Sequence, residues 1–214
     1  HEVTERHNFG ARVATEGNDE IARLGSCFNA MLAELEKRAA EKTAFEAQLK
    51  RQALNDDLTG LPNRRLLADR LTYALDLARR RSHEVALLYI DLDKFKQLND
   101  TCGHAAGDDA LRSLVAAINS AIRSTDLLGR IGGDEFAVLL VDCSENDARI
   151  VAERIRQSVR ELRISDDATR LSVSTGVVCI TGGKQSLNAL LGQADGLMYA
   201  TKRRGGDGVC VQSI

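Results

Sequence analysis

Several things are missing from this sequence, and each absence narrows the field. There is no cysteine pair of metal-binding or disulfide type. The five cysteines (Cys27, Cys102, Cys143, Cys179 and Cys210) are odd in number, scattered, and never spaced as CxxC. That disfavours a disulfide framework and a zinc site, and fits a reducing compartment. Proline occurs once, at Pro62, and no Pro/Gly/Ser linker divides the chain, so any junction between parts is itself structured. No apolar run approaches the about 18 residues of a membrane helix. The longest, Val85–Ile90 and Phe136–Val141, have the length of buried strands. Basic excess is absent too: 29 Lys and Arg stand against 31 Asp and Glu, a net charge of −2. No nucleic-acid partner is expected, since that needs a clear positive footprint. No signal peptide is expected, and the opening at His1 reads as the middle of a longer protein, so the chain is expected to be a soluble piece of one.

The 214 residues suffice for one well-cored domain plus an attachment. With 43 % apolar and 28 % charged residues, the composition is that of an ordinary globular protein. After a polar, Gly-punctuated start, Asn18 or Asp19 can cap a helix whose first turn carries acids. Ile21, Leu24, Phe28, Met31 and Leu35 follow at alternating three- and four-residue spacing, the seam of a coiled coil. The register then meets Arg38 and Lys42 before Phe45 and Leu49, so the coil is weak in its middle. A continuous helix to about Leu54 is expected. The other reading is a solvated helix packed on its own domain.

The turn-forming run Asn55–Asn63 breaks that helix, and a second amphipathic helix runs to about Arg81. The period then changes. Val85–Asp91 reads as a buried central strand, followed by helical patterns to about Arg123. Asp126–Ile131 and Glu135–Val141 flank Gly132-Gly133-Asp134, a hairpin signature. A helix over Glu145–Leu162, a strand over Leu171–Ile180, a helix over Leu187–Arg203 and a strand over Gly208–Gln212 complete the chain. Strands alternating with helices around one hairpin imply a mixed sheet with helices on its faces.

Two acidic sites carry potential chemistry. Asp91 and Asp93 end a strongly apolar strand, where a carboxylate needs a partner, and a hard cation is a natural one. Asp134 and Glu135 stand at the glycine hairpin, where the missing Cβ atoms let a ligand approach. If the hairpin lies beside Val85–Asp91, Asp91 and Asp134 converge, and two carboxylates with a metal form the core of polymerase-type phosphoryl chemistry. Singly, each is more commonly a strand-end cap or a plain turn. The polar segment between them offers Lys96 for a phosphate and Asn99 and Asp108 for a guanine edge. Its plain alternative is a solvated helix-turn-helix.

Asp91-x-Asp93-x-Phe95-Lys96-x-x-Asn99-Asp100-x-x-Gly103-His104-x-x-Gly107-Asp108, followed by Gly132-Gly133-Asp134-Glu135-Phe136, resembles the diguanylate cyclase (GGDEF) family. So do Asp57-Leu58-Thr59-Gly60-Leu61-Pro62-Asn63-Arg64 and Ala194-Asp195-x-x-Met198-Tyr199-x-x-Lys202. The resemblance implies an α/β (α+β) fold of the nucleotidyl-cyclase, ferredoxin-like kind: a mixed central sheet flanked by helices. It also implies a homodimer that joins two GTP into cyclic di-GMP. Asp91, Asp134 and the Leu92 carbonyl would hold Mg2+ or Mn2+, and Asp134 or Glu135 would help remove the 3'-hydroxyl proton. Asn99 and Asp108 would read guanine, Lys96 and Lys202 would bind phosphates, and the backbone at Phe95 would cradle them. His104 would sit near the substrate, its plain reading being a turn-capping histidine. Arg123-x-x-Asp126 matches the family's product-inhibition site, where cyclic di-GMP binds; its plain reading is a helix-end Arg and a strand-start Asp.

Asn8–Val13 with Gly17–Met31 resembles the second half of a HAMP domain. The expected organisation is partial HAMP over 1–34, a signalling helix in a parallel dimeric coiled coil over 35–54, and the cyclase domain over 55–214. The membrane would be reached only through segments upstream, placing the full-length protein at the cytoplasmic face of a bacterial inner membrane. Three departures stand out: Cys102 and Ile131 replace frequent aromatics, and Gly206 replaces a frequent arginine, for which Arg203 or Arg204 would have to substitute. The alternatives are a silent domain that senses GTP or cyclic di-GMP, a cyclase for another nucleotide, and a purely structural dimeriser.

Overall fold

The structure is a computed structural model, and it describes residues 20–81, 84–164, 169–180 and 185–214. The expected cap at Asn18 or Asp19 and the motif Asn8–Val13 lie outside these residues. The chain divides into two compact units, His1–Ala53 and Leu54–Ile214.

The first unit is built on one long helix, α1 (Glu20–Leu54, 35 residues), about 52 Å long at 1.5 Å per residue. The seam residues Ile21, Leu24, Phe28, Met31, Leu35, Phe45 and Leu49 are all exposed. Where the apolar register lapses, charged side chains pair along the same helix: Arg38 with Glu34 at 2.8 Å and Lys42 with Glu46 at 3.8 Å. Such exposed pairs contribute little stability, so this stretch is held by backbone propensity rather than by packing.

The second unit contains α2 (Arg64–Arg81), β1 (Val85–Leu92), α3 (Phe95–Cys102), α4 (His104–Ala121), β2 (Leu127–Gly132) and β3 (Glu135–Val141). After these come α5 (Glu145–Arg160), the two-residue strands β4 (Arg163–Ile164) and β5 (Thr169–Arg170), β6 (Val173–Ile180), α6 (Leu187–Arg203) and β7 (Gly208–Ser213). The main sheet has the order β2-β3-β1-β6-β7. β1 is antiparallel to both β3 and β6, while β6 and β7 are parallel. This is the mixed sheet expected from the pattern. The small β4-β5 hairpin was not expected, because two-residue strands carry no periodicity.

All eight residues of β1 are buried, which is why its sequence runs apolar without alternation. Its even positions Ala86, Leu88 and Ile90 join Leu111, Leu114, Ile118 and Ile155 from α4 and α5. Its odd positions Val85, Leu87 and Tyr89 join Leu67 and Leu71 of α2 and Leu190 and Ala194 of α6. Helices therefore cover both faces. α6 comes so close that a Cβ on Gly176 would stand 1.9 Å from the Ala194 carbonyl oxygen. The long helical pattern after β1 resolves into two helices broken at Gly103.

Candidate active site

The site forms where β1 ends. Asp91 falls on the odd face and is only 6 % exposed. Its cross-strand neighbours are Glu135 on β3 and Ser174 on β6. The Leu92 N–H donates to the Asp134 carbonyl at 3.4 Å. Asp91 and the hairpin carboxylates thus converge as the sequence pattern required. The Lys202 ammonium of α6 pairs with Asp91 Oδ1. Burial pushes the Asp91 carboxyl up, Lys202 pulls it down, and the nearby charges of Asp134 and Glu135 raise it again, to about 6. Lys202 was expected on phosphates; here it neutralises the carboxylate that the strand buries.

Tyr89 stands one pleat back on the same face, opposite Ala137 and Gly176. Burial first, then its hydrogen bond to the Glu135 carboxylate, raise the phenol well above its usual range. Tyr89 carried no sequence signal beyond its place in an apolar run. Glu135 lies diagonally across from it, two positions along β3 from its partner Ala137, a link that only the strand register reveals.

The hairpin tip is open: added Cβ atoms on Gly132 and Gly133 would meet nothing within 4 Å. Gly133 has φ +47, a left-handed turn position that glycine adopts freely. Arg130 holds this tip in place. Its Nε and Nη2 donate to the Gly133 carbonyl at 3.0 and 2.7 Å. Its Nη1 donates to Asp56 at 2.8 Å, and its backbone N–H to the Pro62 carbonyl at 2.9 Å. Asp56 also accepts from Thr59 N and Oγ1 at 2.9 and 2.6 Å. The turn before α2 and the hairpin are therefore one bonded unit. Sequence reasoning missed Arg130, and an arginine inside a strand flanked by glycines was the available signal.

α3 begins beside β1's end. Lys94 adopts φ +58, uncommon for a residue with a side chain, and no side chain caps the helix. No acid lies in the first turn, so the N–H groups of Phe95 and Lys96 present a positive helix end. Asn99, one turn on, keeps its Oδ1 buried with no hydrogen-bond partner among the described residues. It rests on Gly107 of α4, where a Cβ would lie 1.9 Å from Oδ1. Asp108 is next in the chain and half-buried, while Lys96 and His104 are exposed. An orphaned acceptor in a cradle made by a glycine is the signature of a site awaiting a donor.

Asp93, present in the motif without an assigned role, is a structural hub. Its carboxylate accepts from Ser172 Oγ at 2.8 Å, Ser174 Oγ at 2.7 Å and the Asp207 N–H at 2.9 Å. Gly206 has φ +74, and a Cβ there would lie 3.0 Å from both Asp93 carboxylate oxygens. Any side chain at this position would be strained and crowded. Arg203 and Arg204 are exposed. Asp207 is paired with Arg156 and Arg160 of α5, each at 3.1 Å.

Arg123 and Asp126 form a tight turn in which the Arg123 N–H donates to Asp126 Oδ2 at 2.8 Å and the Asp126 N–H to the Arg123 carbonyl at 3.0 Å. They sit at the far end of β2, about 20 Å of strand from the hairpin. They do not belong to the same cleft.

The donors present fit a hard cation: Asp91, Asp134 and the Leu92 carbonyl are all oxygen, and Asp91 is a buried carboxylate facing two like charges with only Lys202 to offset them. Among the described residues no group of three or more His, Cys, Asp or Glu is placed to hold a metal ion by itself. No helix of the described residues is long and apolar enough to cross a membrane.

Comparison with known proteins completes the description. The profile of the family "Diguanylate cyclase, GGDEF domain" matches residues 53–208. Diguanylate cyclase TpbB of Pseudomonas aeruginosa is 40 % identical over 207 residues, covering 95 % of this chain and 48 % of that protein. The chain thus spans about half the length of that relative. The crystal structure of diguanylate cyclase SiaD with its activator SiaC, also from Pseudomonas aeruginosa, aligns with TM-score 0.71 and 35 % identity over 90 % of this chain and 77 % of that one. The coiled coil and GGDEF domain of DgcB from Caulobacter crescentus, in complex with c-di-GMP, aligns with TM-score 0.77 and 28 % identity over 86 % of this chain and 98 % of that one. By fold, by site and by these matches, the chain belongs to the diguanylate cyclase GGDEF-domain family.

Proposed function

We propose that this chain condenses two GTP into cyclic di-GMP and two pyrophosphates, as a homodimer in which each copy binds one GTP. The observation that carries this reading is the convergence of Asp91 with Asp134 and Glu135 beside the uncapped start of α3. Asn99 Oδ1 and the Asp108 carboxylate accept the N1–H and amine of guanine, donors that adenine does not present together. The N–H groups at Phe95 and Lys96, with the Lys96 ammonium, receive the phosphates. Mg2+ or Mn2+ on Asp91, Asp134 and the Leu92 carbonyl would neutralise phosphate charge and lower the pKa of the 3'-hydroxyl. Asp134 or Glu135 takes that proton. The 3'-oxygen then bonds to the α-phosphorus of the partner's GTP, the bond to the β-phosphate oxygen breaks, and pyrophosphate leaves. Catalysis is mainly positioning and charge neutralisation. Lys202 leaves Asp91 to meet phosphate as the site fills, and His104 flanks the base.

The exposed seam of α1 supports a coiled-coil dimer, and DgcB, whose coiled coil and GGDEF domain align here, offers a parallel. We read 1–34 as part of a HAMP module, 35–54 as the signalling helix and 55–214 as the cyclase domain. Upstream segments would then tie the whole protein to a membrane sensor at the cytoplasmic face. Arg123 and Asp126 form the place where product binds and inhibits. Mass spectrometry of products after incubation with GTP and Mg2+ tests the reading. Cyclic di-GMP that disappears in Asp134→Ala supports it. Binding of GTP or cyclic di-GMP with no turnover would favour a silent receptor instead.

A further inference from the structure

Beside α3 lies a cavity of about 390 Å³, within the range of small-molecule sites. Asn99 does not line it; Leu98 does, with Leu171 opposite. Both are core residues, 7 % and 4 % exposed, so the cavity has an apolar wall. Lys94 and Arg170 stand at its edge, and neither has an ion-pair partner among the described residues. Among the described residues the one carboxylate in the lining is Asp93, which already accepts from two serine hydroxyls and a backbone N–H. Three donors already engage its oxygens, and two cations against one carboxylate leave the described lining net positive.

We propose that this cavity binds a small organic anion, its phosphate or carboxylate between Lys94 and Arg170 and its apolar body on Leu98 and Leu171. A guanidinium suits a two-oxygen anionic group, and an ammonium supplies a second point of charge. None of the residues assigned above to GTP or its metal lines this cavity.

Cys102, an exposed thiol in the same lining, reports occupancy. Cys27 on α1 is exposed as well and serves as the internal reference. The rates of iodoacetamide alkylation at the two cysteines are followed by peptide mass spectrometry, with phenyl phosphate, benzoate or uncharged benzyl alcohol as probe. At twice its dissociation constant, phenyl phosphate or benzoate slows Cys102 about threefold, as one-site occupancy requires, and leaves Cys27 unchanged. Benzyl alcohol gives no protection. The Lys94→Ala/Arg170→Ala double variant and Arg170→Ala alone lose the protection, and Lys96→Ala, altered only in the GTP groove, retains it. Thermal melts establish that each variant is folded. Unchanged Cys102 rates with both anions, protection that survives Arg170→Ala, or protection lost in Lys96→Ala would each overturn the proposal.

Discussion

Gly107 of α4 supports the Asn99 amide of α3 so closely that a Cβ in its place would stand 1.9 Å from Asn99 Oδ1. The same oxygen is buried without a partner. The glycine is thus a constraint on recognition more than on folding.

Gly107→Ala is expected to displace Asn99 and to raise the KM for GTP about tenfold, the equivalent of one lost hydrogen bond to a buried polar group. Because Asn99 moves toward solvent, the melting temperature falls by only a few degrees. Steady-state kinetics with a parallel thermal melt separates the two effects. An unchanged KM would show that Asn99 does not read the base.

The Arg130–Asp56 pair should give stability a distinct acid limit. Burial alone would raise Asp56, but the bonds from Thr59 and Arg130 outweigh it and hold the carboxyl below its usual range. A depressed folded pKa means the stabilisation is fully present above the unfolded value of about 3.9 and is lost as pH falls through the folded one. Asp56→Asn is expected to cost about 1–2 kcal/mol at pH 7 and clearly less at pH about 2, because the contribution fades only as pH falls from about 3.9 through the lowered folded pKa. Urea midpoints at the two pH values measure the difference, and a pH-independent cost would refute the assignment.

Lys202→Ala leaves Asp91 buried among carboxylates with no cation. We expect a lower melting temperature without divalent metal and a larger stabilisation by Mg2+ than the parent shows, since the ion now relieves an uncompensated charge. Turnover falls as well. Differential scanning fluorimetry across a Mg2+ series reads the effect, and equal Mg2+ shifts in both proteins would place the metal elsewhere.

The seam of α1 predicts its own test. Phe28→Glu with Met31→Lys puts opposite charges on an exposed apolar stripe. If the stripe is a dimer seam, sedimentation velocity should show a monomer, and turnover should fall by at least about tenfold because two sites must meet. A dimer that persists with full activity would place the interface on another surface.

The sheet, its hairpin and the pairing of Asp91 with the hairpin acids were legible because β1 is a long buried strand and the glycines mark a single turn. Asn99 and Asp108 were legible as residue types. Their cradle on Gly107 was not, since a glycine inside a helix announces nothing until its neighbour is known. Arg130, Tyr89 and the Asp93 hub escaped for the same reason: each acts across residues distant in sequence, as in the Ser172 and Ser174 bonds to Asp93. Gly206 read as a missing arginine; its positive φ and the crowding by Asp93 show what the turn demands instead.

β1 is the middle strand, bonded on both edges and buried at every position. Its amides should be among the last to exchange with deuterium, opening only when the whole domain does. The eight-residue α3 has no such protection and should exchange by local opening. The cleft is therefore half stiff and half yielding. Asp91 is mounted on the most durable part of the molecule, and Asn99, proposed above to read the base, rides on a part that can give.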